Sequence, residues 1–280
     1  MKTSNKILIA FAAALILIPV LGMVIVSATQ YKEDKYIQTV NLPIESLNNL
    51  EKSTEGYVKK DLAVFDKIEI ANGKELMFQL SVINSEKYGV KVPEGFKDNM
   101  SFSVDKNGIL QIKFDDKLDR SGNNGYGVIV IVYAPNVNKV DASKLGGLTL
   151  NTQADSLNLT VSDIETVNFG SSVTYHANRE TTNNNTRVQN LNLNLSNSNF
   201  NSYNNSFNNL SIKANRNSSI TIWGEEENKE KYSIENLNLN AQGNVKVKVE
   251  NIRVKNSSAD VSDSTELAVP TYMLKQMFKK

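Results

Sequence analysis

Hydrophobic and polar residues follow two rhythms along this chain. From Ile7 to Ala28 the stretch "ILIAFAAALILIPVLGMVIVSA" is apolar, without one charged residue. At about 1.5 Å rise per residue, a helix of that length crosses a hydrocarbon core of about 30 Å. Pro19 does not disqualify it, because membrane helices tolerate proline. The run exceeds the apolar region of a cleavable signal peptide, about 7–15 residues, yet Val26-Ser27-Ala28 is an acceptable small-residue cleavage site. Residues 1–28 are expected to form a signal anchor, with cleavage after Ala28 as the competing reading. Lys2 and Lys6 favour a cytoplasmic N-terminus, although Lys32 and Lys35 weaken the asymmetry. On either reading the remaining chain is exported, periplasmic or at the cell surface if anchored and secreted if cleaved. Residues 29–60 are polar with short apolar pieces and are read as a juxtamembrane linker.

From Leu62 to about Pro135 the rhythm has period two. "FDKIEI", "ELMFQLSVI" and "YGVKV" each alternate, and "SFSVD" and "ILQIKF" flank "KNG", a tight hairpin signal in which Gly108 can take positive φ. "GVIVIVYAP" predicts a more deeply buried strand that stops at Pro135. No 3.6-residue period is sustained, so the segment is expected to be all β.

After Pro135, "GGLTL", "DSLNLTV", "ETVNF", "NLNLNL", "NLSIKA", "SITIW", "NLNLNA" and "VKVKV" recur, many of them 9–10 residues apart. The spacing lengthens at "TYHANRETTNNNTR" and "GEEENKEK". Short strands between Asn, Ser and Gly turns fit a parallel β-helix or β-solenoid, in which stacked repeats each add a strand. A β-sandwich with frequent hairpins shows a similar spacing. The asparagines favour the solenoid, because stacked amides can bond from repeat to repeat and asparagine tolerates left-handed corners. Residues 61–256 are expected to form this domain. Residues 257–280 are expected to be a tail or a capping segment, with a short amphipathic helix after Pro270.

The order of these pieces carries a resemblance. "FDKIEIANGKELMFQLSVINSEKYGVKV", then "NMSFSVDKNGILQIKF", then "VIVIVYAPNVNKVDASKLGGLTL" resembles the auto-transporter adhesin head domain known as the GIN domain, common in Bacteroidetes envelope proteins. The resemblance spans about Leu62 to Val254 and is strongest before Leu150. It implies an exported β-helical domain with no assigned biochemical activity. The second half departs from the family in using asparagine where members are often richer in glycine.

Composition narrows the functional classes. Of 280 residues, 40% are hydrophobic and 22% charged, which suits a packed core. The 31 basic residues balance 30 acidic ones, so no sequence-wide field draws the chain to nucleic acid. Without cysteine there is no disulfide, thiolate metal site or cysteine nucleophile.

No catalytic constellation, metal site or cofactor motif stands out. Asp115, Asp116 and Asp119 sit with Lys117 and Arg120 in "FDDKLDR", which reads as a solvated loop. His176, the one histidine, has no acid, nucleophile or second histidine near it in sequence. "RSGNNGYG" lacks the context of a phosphate loop, and "GEEENKEK" carries its own neutralising lysines. The N-x-[ST] triplets at Asn158, Asn194, Asn209, Asn217 and Asn256 follow from composition.

Aromatic residues near the Asn-rich run are the remaining handle. Phe200 and Phe207 are assigned to the interior. Tyr203, Tyr175 and Trp223 form the candidate ligand-binding surface, since rings stack on apolar faces while amides hydrogen-bond. The sequence thus predicts a membrane-anchored, exported envelope protein with a non-catalytic, adhesin-like, scaffolding or ligand-binding role toward envelope proteins or glycans. A polysaccharide-acting enzyme and an envelope signalling protein are the alternatives.

Overall fold

The computed structural model describes residues 3, 6, 11, 15, 17–21 and 23, and residues 47–279 except 116–126, 171, 177–178, 184–185 and 228–230; side chains between 171 and 185 are not among those described. The chain divides into two units, residues 1–37 and 38–280. In the first, the described residues are helical and exposed. The expected span over 1–28 falls largely outside the described residues, and among those described no helix is long and apolar enough to cross a membrane.

Among its described residues the second unit is all β apart from short helical segments. Its first strands are β1 (Tyr57–Asp61), β2 (Lys67–Ile70), β3 (Met77–Asn84), β4 (Gly89–Pro93), β5 (Met100–Val104), β6 (Ile109–Phe114) and β7 (Val128–Ala134). Next come β8 (Lys139–Ser143), β9 (Gly147–Asn151), β10 (Gln153–Ser162), β11 (Thr166–Phe169), β12 (Ser172–His176), β13 (Arg179–Asn183) and β14 (Arg187–Ser196). The series ends with β15 (Asn199–Tyr203), β16 (Phe207–Asn215), β17 (Ser218–Trp223), β18 (Ser233–Gln242), β19 (Val245–Glu250), β20 (Arg253–Val261) and β21 (Glu266–Ala268), followed by helix α1 (Thr271–Met277).

Sheet I has ten strands in the order β1-β4-β7-β3-β9-β11-β15-β17-β19-β21, sheet II nine in the order β20-β18-β16-β14-β10-β8-β2-β6-β5, and β12-β13 pair as a hairpin. From β8 onward, the β12–β13 hairpin apart, the chain alternates between the sheets, and from β10 each strand pairs in parallel with the previous one in its own sheet. The 9–10-residue spacing seen in sequence is therefore half a repeat. Stacked partners lie 19 or 20 residues apart, as at Asn209 over Asn190 and Asn256 over Asn236. The offset grows to 34 where the hairpin intervenes and to 27 across the "GEEENKEK" loop.

Alternation aims one side chain in two inward. Leu159, Leu193, Ile212 and Leu239 stack along sheet II, each at most 1% exposed. Leu148, Val167, Phe200, Ile220 and Val247 stack along sheet I, each at most 2% exposed. The Phe169 ring lies 5.9 Å from Phe200 and 6.1 Å from Phe207. Ser202, the next inward residue after Phe200, is small and buried, and Phe207 is buried too. Both phenylalanines are interior residues, as the sequence suggested.

Corners and outer faces show what the polar residues do. After each sheet II strand from β8 to β18 one residue adopts positive φ: Lys144, Asp163, Asn197, Arg216 and Gly243, between 49° and 86°. Left-handed backbone costs an L-residue about 1–2 kcal/mol. Backbone bonds between repeats offset that cost: Lys144 N donates to Ser162 O and Asp163 N to Ser196 O, both at 3.1 Å. On the outer face of sheet II the asparagines form a one-way ladder. Asn190 Nδ2 donates to Ser156 Oγ at 3.3 Å, Asn209 to Asn190 Oδ1 at 2.6 Å, Asn236 to Asn209 Oδ1 at 3.0 Å, and Asn256 to Asn236 Oδ1 at 3.0 Å. Asn190 and Asn192 of "NLNLNL" thus bind repeat to repeat.

The two ends of sheet II differ. At the start, β5 and β6 form the antiparallel hairpin expected at "KNG", with Gly108 at φ 70°. Asp105 Oδ1 accepts the N–H groups of Ile109 and Asn107 at 3.0 and 2.8 Å, which holds its carboxyl below the usual range. At the finish, α1 covers edge strand β20: Tyr272 OH accepts from Val254 N at 3.1 Å and Gln276 Nε2 donates to Lys255 O at 2.9 Å. Met273 and Met277 are buried beneath the helix, hiding an edge that would otherwise template further pairing.

Candidate functional site

The outer face of sheet I differs from the outer face of sheet II. Its N-terminal part is covered by the chain itself. Leu50 packs on outward Ile131 and Tyr133, with Leu47, Tyr57 and Ile83 around them. Gly89 permits this approach, because a Cβ there would lie 2.7 Å from Leu50 Cδ2 and 2.8 Å from Lys60 O. Lys91, 2% exposed, fastens the strap. Its ammonium donates to Asn49 O and Lys52 O at 2.7 Å and to Thr54 Oγ1 at 3.0 Å, and lies 5.5 Å from the centre of the Tyr133 ring. Burial lowers the pKa of Lys91 and raises that of Tyr133, whose hydroxyl donates to Leu47 O at 2.6 Å. Outside the strap, Lys87 and Lys59 each approach Glu51 to 2.9 Å and hold its carboxyl at about 2. Residues 47–60, within the range read as linker, are thus folded onto the sheet. A lysine between two valines reads as a solvated strand position, so sequence gave no warning of Lys91.

Further along, among the described residues, the same face is polar and partly exposed. Thr149, Asn168, Asn201 and Thr221 occupy one register row across β9, β11, β15 and β17. Two residues along from Asn201 and Thr221, Tyr203 and Trp223 are directly paired, with ring centroids 5.3 Å apart and planes at 38°. Both rings are half-buried. The backbone beneath them is fixed from inside: Asn205, 4% exposed, donates through Nδ2 to Phe169 O and Ser202 Oγ at 2.9 Å and to Tyr203 O at 3.2 Å. Asn204 (φ 56°) turns the corner, its N–H donating to Trp223 O at 3.0 Å and its side chain to Glu225 Oε1 at 3.1 Å. At the matching corner after Trp223, a Cβ on Gly224 would lie 2.3 Å from Asn251 O.

The structure therefore brings Tyr203 and Trp223, 20 positions apart in sequence, into one ring pair. Tyr175 sits in hairpin strand β12, opposite Glu180, and its side chain, like that of His176, is outside those described. Asp115 is exposed, while Asp116 to Arg120 and most of "RSGNNGYG" lie outside the described residues. Lys231 pairs with Glu225 at 3.3 Å in the "GEEENKEK" loop. Among the described residues no three or more of His, Asp and Glu gather in a way that could hold a metal ion.

Among the described residues, fold and face define an all-β arrangement of two strand stacks with an aromatic pair on the polar outer face of sheet I. Solved structures similar to this chain include candidate adhesins and a candidate lipid-binding protein. One candidate adhesin, from Bacteroides fragilis NCTC 9343, is 12% identical over 77% of this chain and 98% of its own, with TM-score 0.38. Another, from Parabacteroides merdae ATCC 43184, is 12% identical over 76% and 92%, with TM-score 0.36. The candidate lipid-binding protein, from Parabacteroides distasonis ATCC 8503, is 12% identical over 76% and 93%, with TM-score 0.35. No family model matches the chain, and no curated protein matches it.

Proposed function

We propose that this chain is an exported, membrane-anchored envelope protein whose domain, a two-sheet β-solenoid, binds its ligand on the outer face of sheet I without catalysis. The observation that carries the reading is the Tyr203–Trp223 pair, outward-facing at 5.3 Å between centroids. A face held rigid by parallel pairing presents rings at low entropic cost, and aromatic residues are enriched where proteins bind partners. The alternating strands and the 19–20-residue offsets support the solenoid description. The domain is proposed to take in, besides residues 61–256, the strap from residue 47 and the C-terminal strands and helix to residue 277.

Two measurements test this reading. Full-length protein is screened against glycans and envelope proteins; Trp223→Ala and Tyr203→Ala are each expected to weaken binding about tenfold or more, with the thermal transition nearly unmoved. Retained binding in both variants would remove the site. For the anchor, mass spectrometry of the mature chain is expected to find the 1–28 segment still attached, and a chain starting at Thr29 would overturn anchoring.

A further inference from the structure

We infer that the ligand of this face is a neutral, linear polysaccharide of β-linked sugars lying along the stacking direction, across the strands rather than parallel to them. The inference rests on the Tyr203–Trp223 reading and adds what that site selects. Thr149, Asn168, Asn201 and Thr221 offer one polar side chain per strand in continuous register, so hydrogen-bonding groups recur at the strand spacing of about 4.8 Å. A small ligand would meet one or two of them, whereas a polymer with a similar step meets all of them. A chain of β-1,4-linked pyranose rings has such a step, with hydroxyls along its edges and flat C–H faces that suit an aromatic pair.

The amides are suited to hydroxyl groups. Asn201 Nδ2 donates to Asn168 Oδ1 at 3.3 Å, which uses one group of each side chain. Asn168 keeps its N–H2 as a donor and Asn201 its carbonyl as an acceptor, while the threonine hydroxyls on either side do both. A sugar hydroxyl, donor and acceptor at once, can engage every member of the row.

Charge selects against polyanions and polycations. The ionic groups next along the face are paired: Lys248 with Glu250 at 2.9 Å and Lys246 with Glu266 at 3.3 Å. The row itself is uncharged. An extended peptide would instead add to a sheet edge through its backbone, and at the end of sheet II the edge strand β20 already gives backbone groups to Tyr272 and Gln276.

The test uses full-length protein in mild detergent with cello- and chito-oligosaccharides of two, four and six sugars, and with alginate as a polyanion, by calorimetry. The four-sugar chains are expected to bind about tenfold tighter than the disaccharides, with little gain at six. Asn201→Ala and Thr221→Ala should each weaken four-sugar binding several-fold while leaving disaccharide binding unchanged, and Trp223→Ala should abolish both. Equal affinity at all lengths, still lost in Trp223→Ala, would overturn the linear-chain inference and leave the site standing. Sugar binding untouched by Trp223→Ala would overturn the site as well. Preference for alginate would overturn neutrality, and failure of every sugar to bind would overturn the glycan assignment.

Discussion

Phe169→Ala is expected to lower the unfolding free energy by about 3–5 kcal/mol, the range for truncating a buried aromatic. Phe169 is 0% exposed and touches two further rings, Phe200 and Phe207, at 5.9 and 6.1 Å. The loss should fall in the upper part of that range, because the site has little freedom to collapse. Its strand is paired on both sides, with β9 and β15, and its carbonyl accepts from buried Asn205. Denaturant titration reads the effect as a lower midpoint with an unchanged slope. Phe200→Leu, which keeps most of the volume, should cost much less. A loss under about 1 kcal/mol in Phe169→Ala would mean that the three rings do not form the packed centre assigned to them.

Lys91→Met is expected to detach the strap over residues 47–54. Methionine matches the lysine stem in bulk but donates nothing, leaving Asn49 O, Lys52 O and Thr54 Oγ1 without the ammonium that now bonds all three. Hydrogen bonds to charged groups are worth about 1.5–3 kcal/mol each, so the local loss exceeds what Leu50 and Tyr57 can offset by packing. Limited trypsin digestion should show early cleavage after Lys52 in the variant and protection in the parent. Amide exchange in β1 and β4 should rise with it. Unchanged protection would show that apolar contact alone holds the strap.

Much of the body was legible in the residues. "NLNLNL" announces inward leucines and outward asparagines, "KNG" announces its hairpin, and Pro270 marks the start of α1. These are local features, set by side-chain period and backbone chemistry. What was not legible is relational. Leu150 and Leu159, nine apart, lie in different sheets, while Leu159 and Leu193 are neighbours across a hairpin. Tyr203 and Trp223 meet because one repeat, with its short corner at Asn204, separates them. A period of 34, 19, 27 and 20 residues disguises a constant geometry as an irregular sequence. Lys91 escaped notice because two of its three partners are backbone carbonyls, which carry no sequence signal.

The asparagine ladder has a consequence for descent. Every rung from Ser156 to Asn256 is held by the rung before it, and nothing in a rung depends on how many others there are. Duplicating or deleting one whole repeat gives each surviving asparagine an equivalent partner, whereas gaining a single residue inside a strand turns the leucines outward. Selection can therefore lengthen or shorten such a chain in whole repeats. The two extended connections, between β11 and β14 and between β17 and β18, leave sheet I at the same corner. That corner is where a lineage can try new sequence while the inherited frame of the stack stays intact.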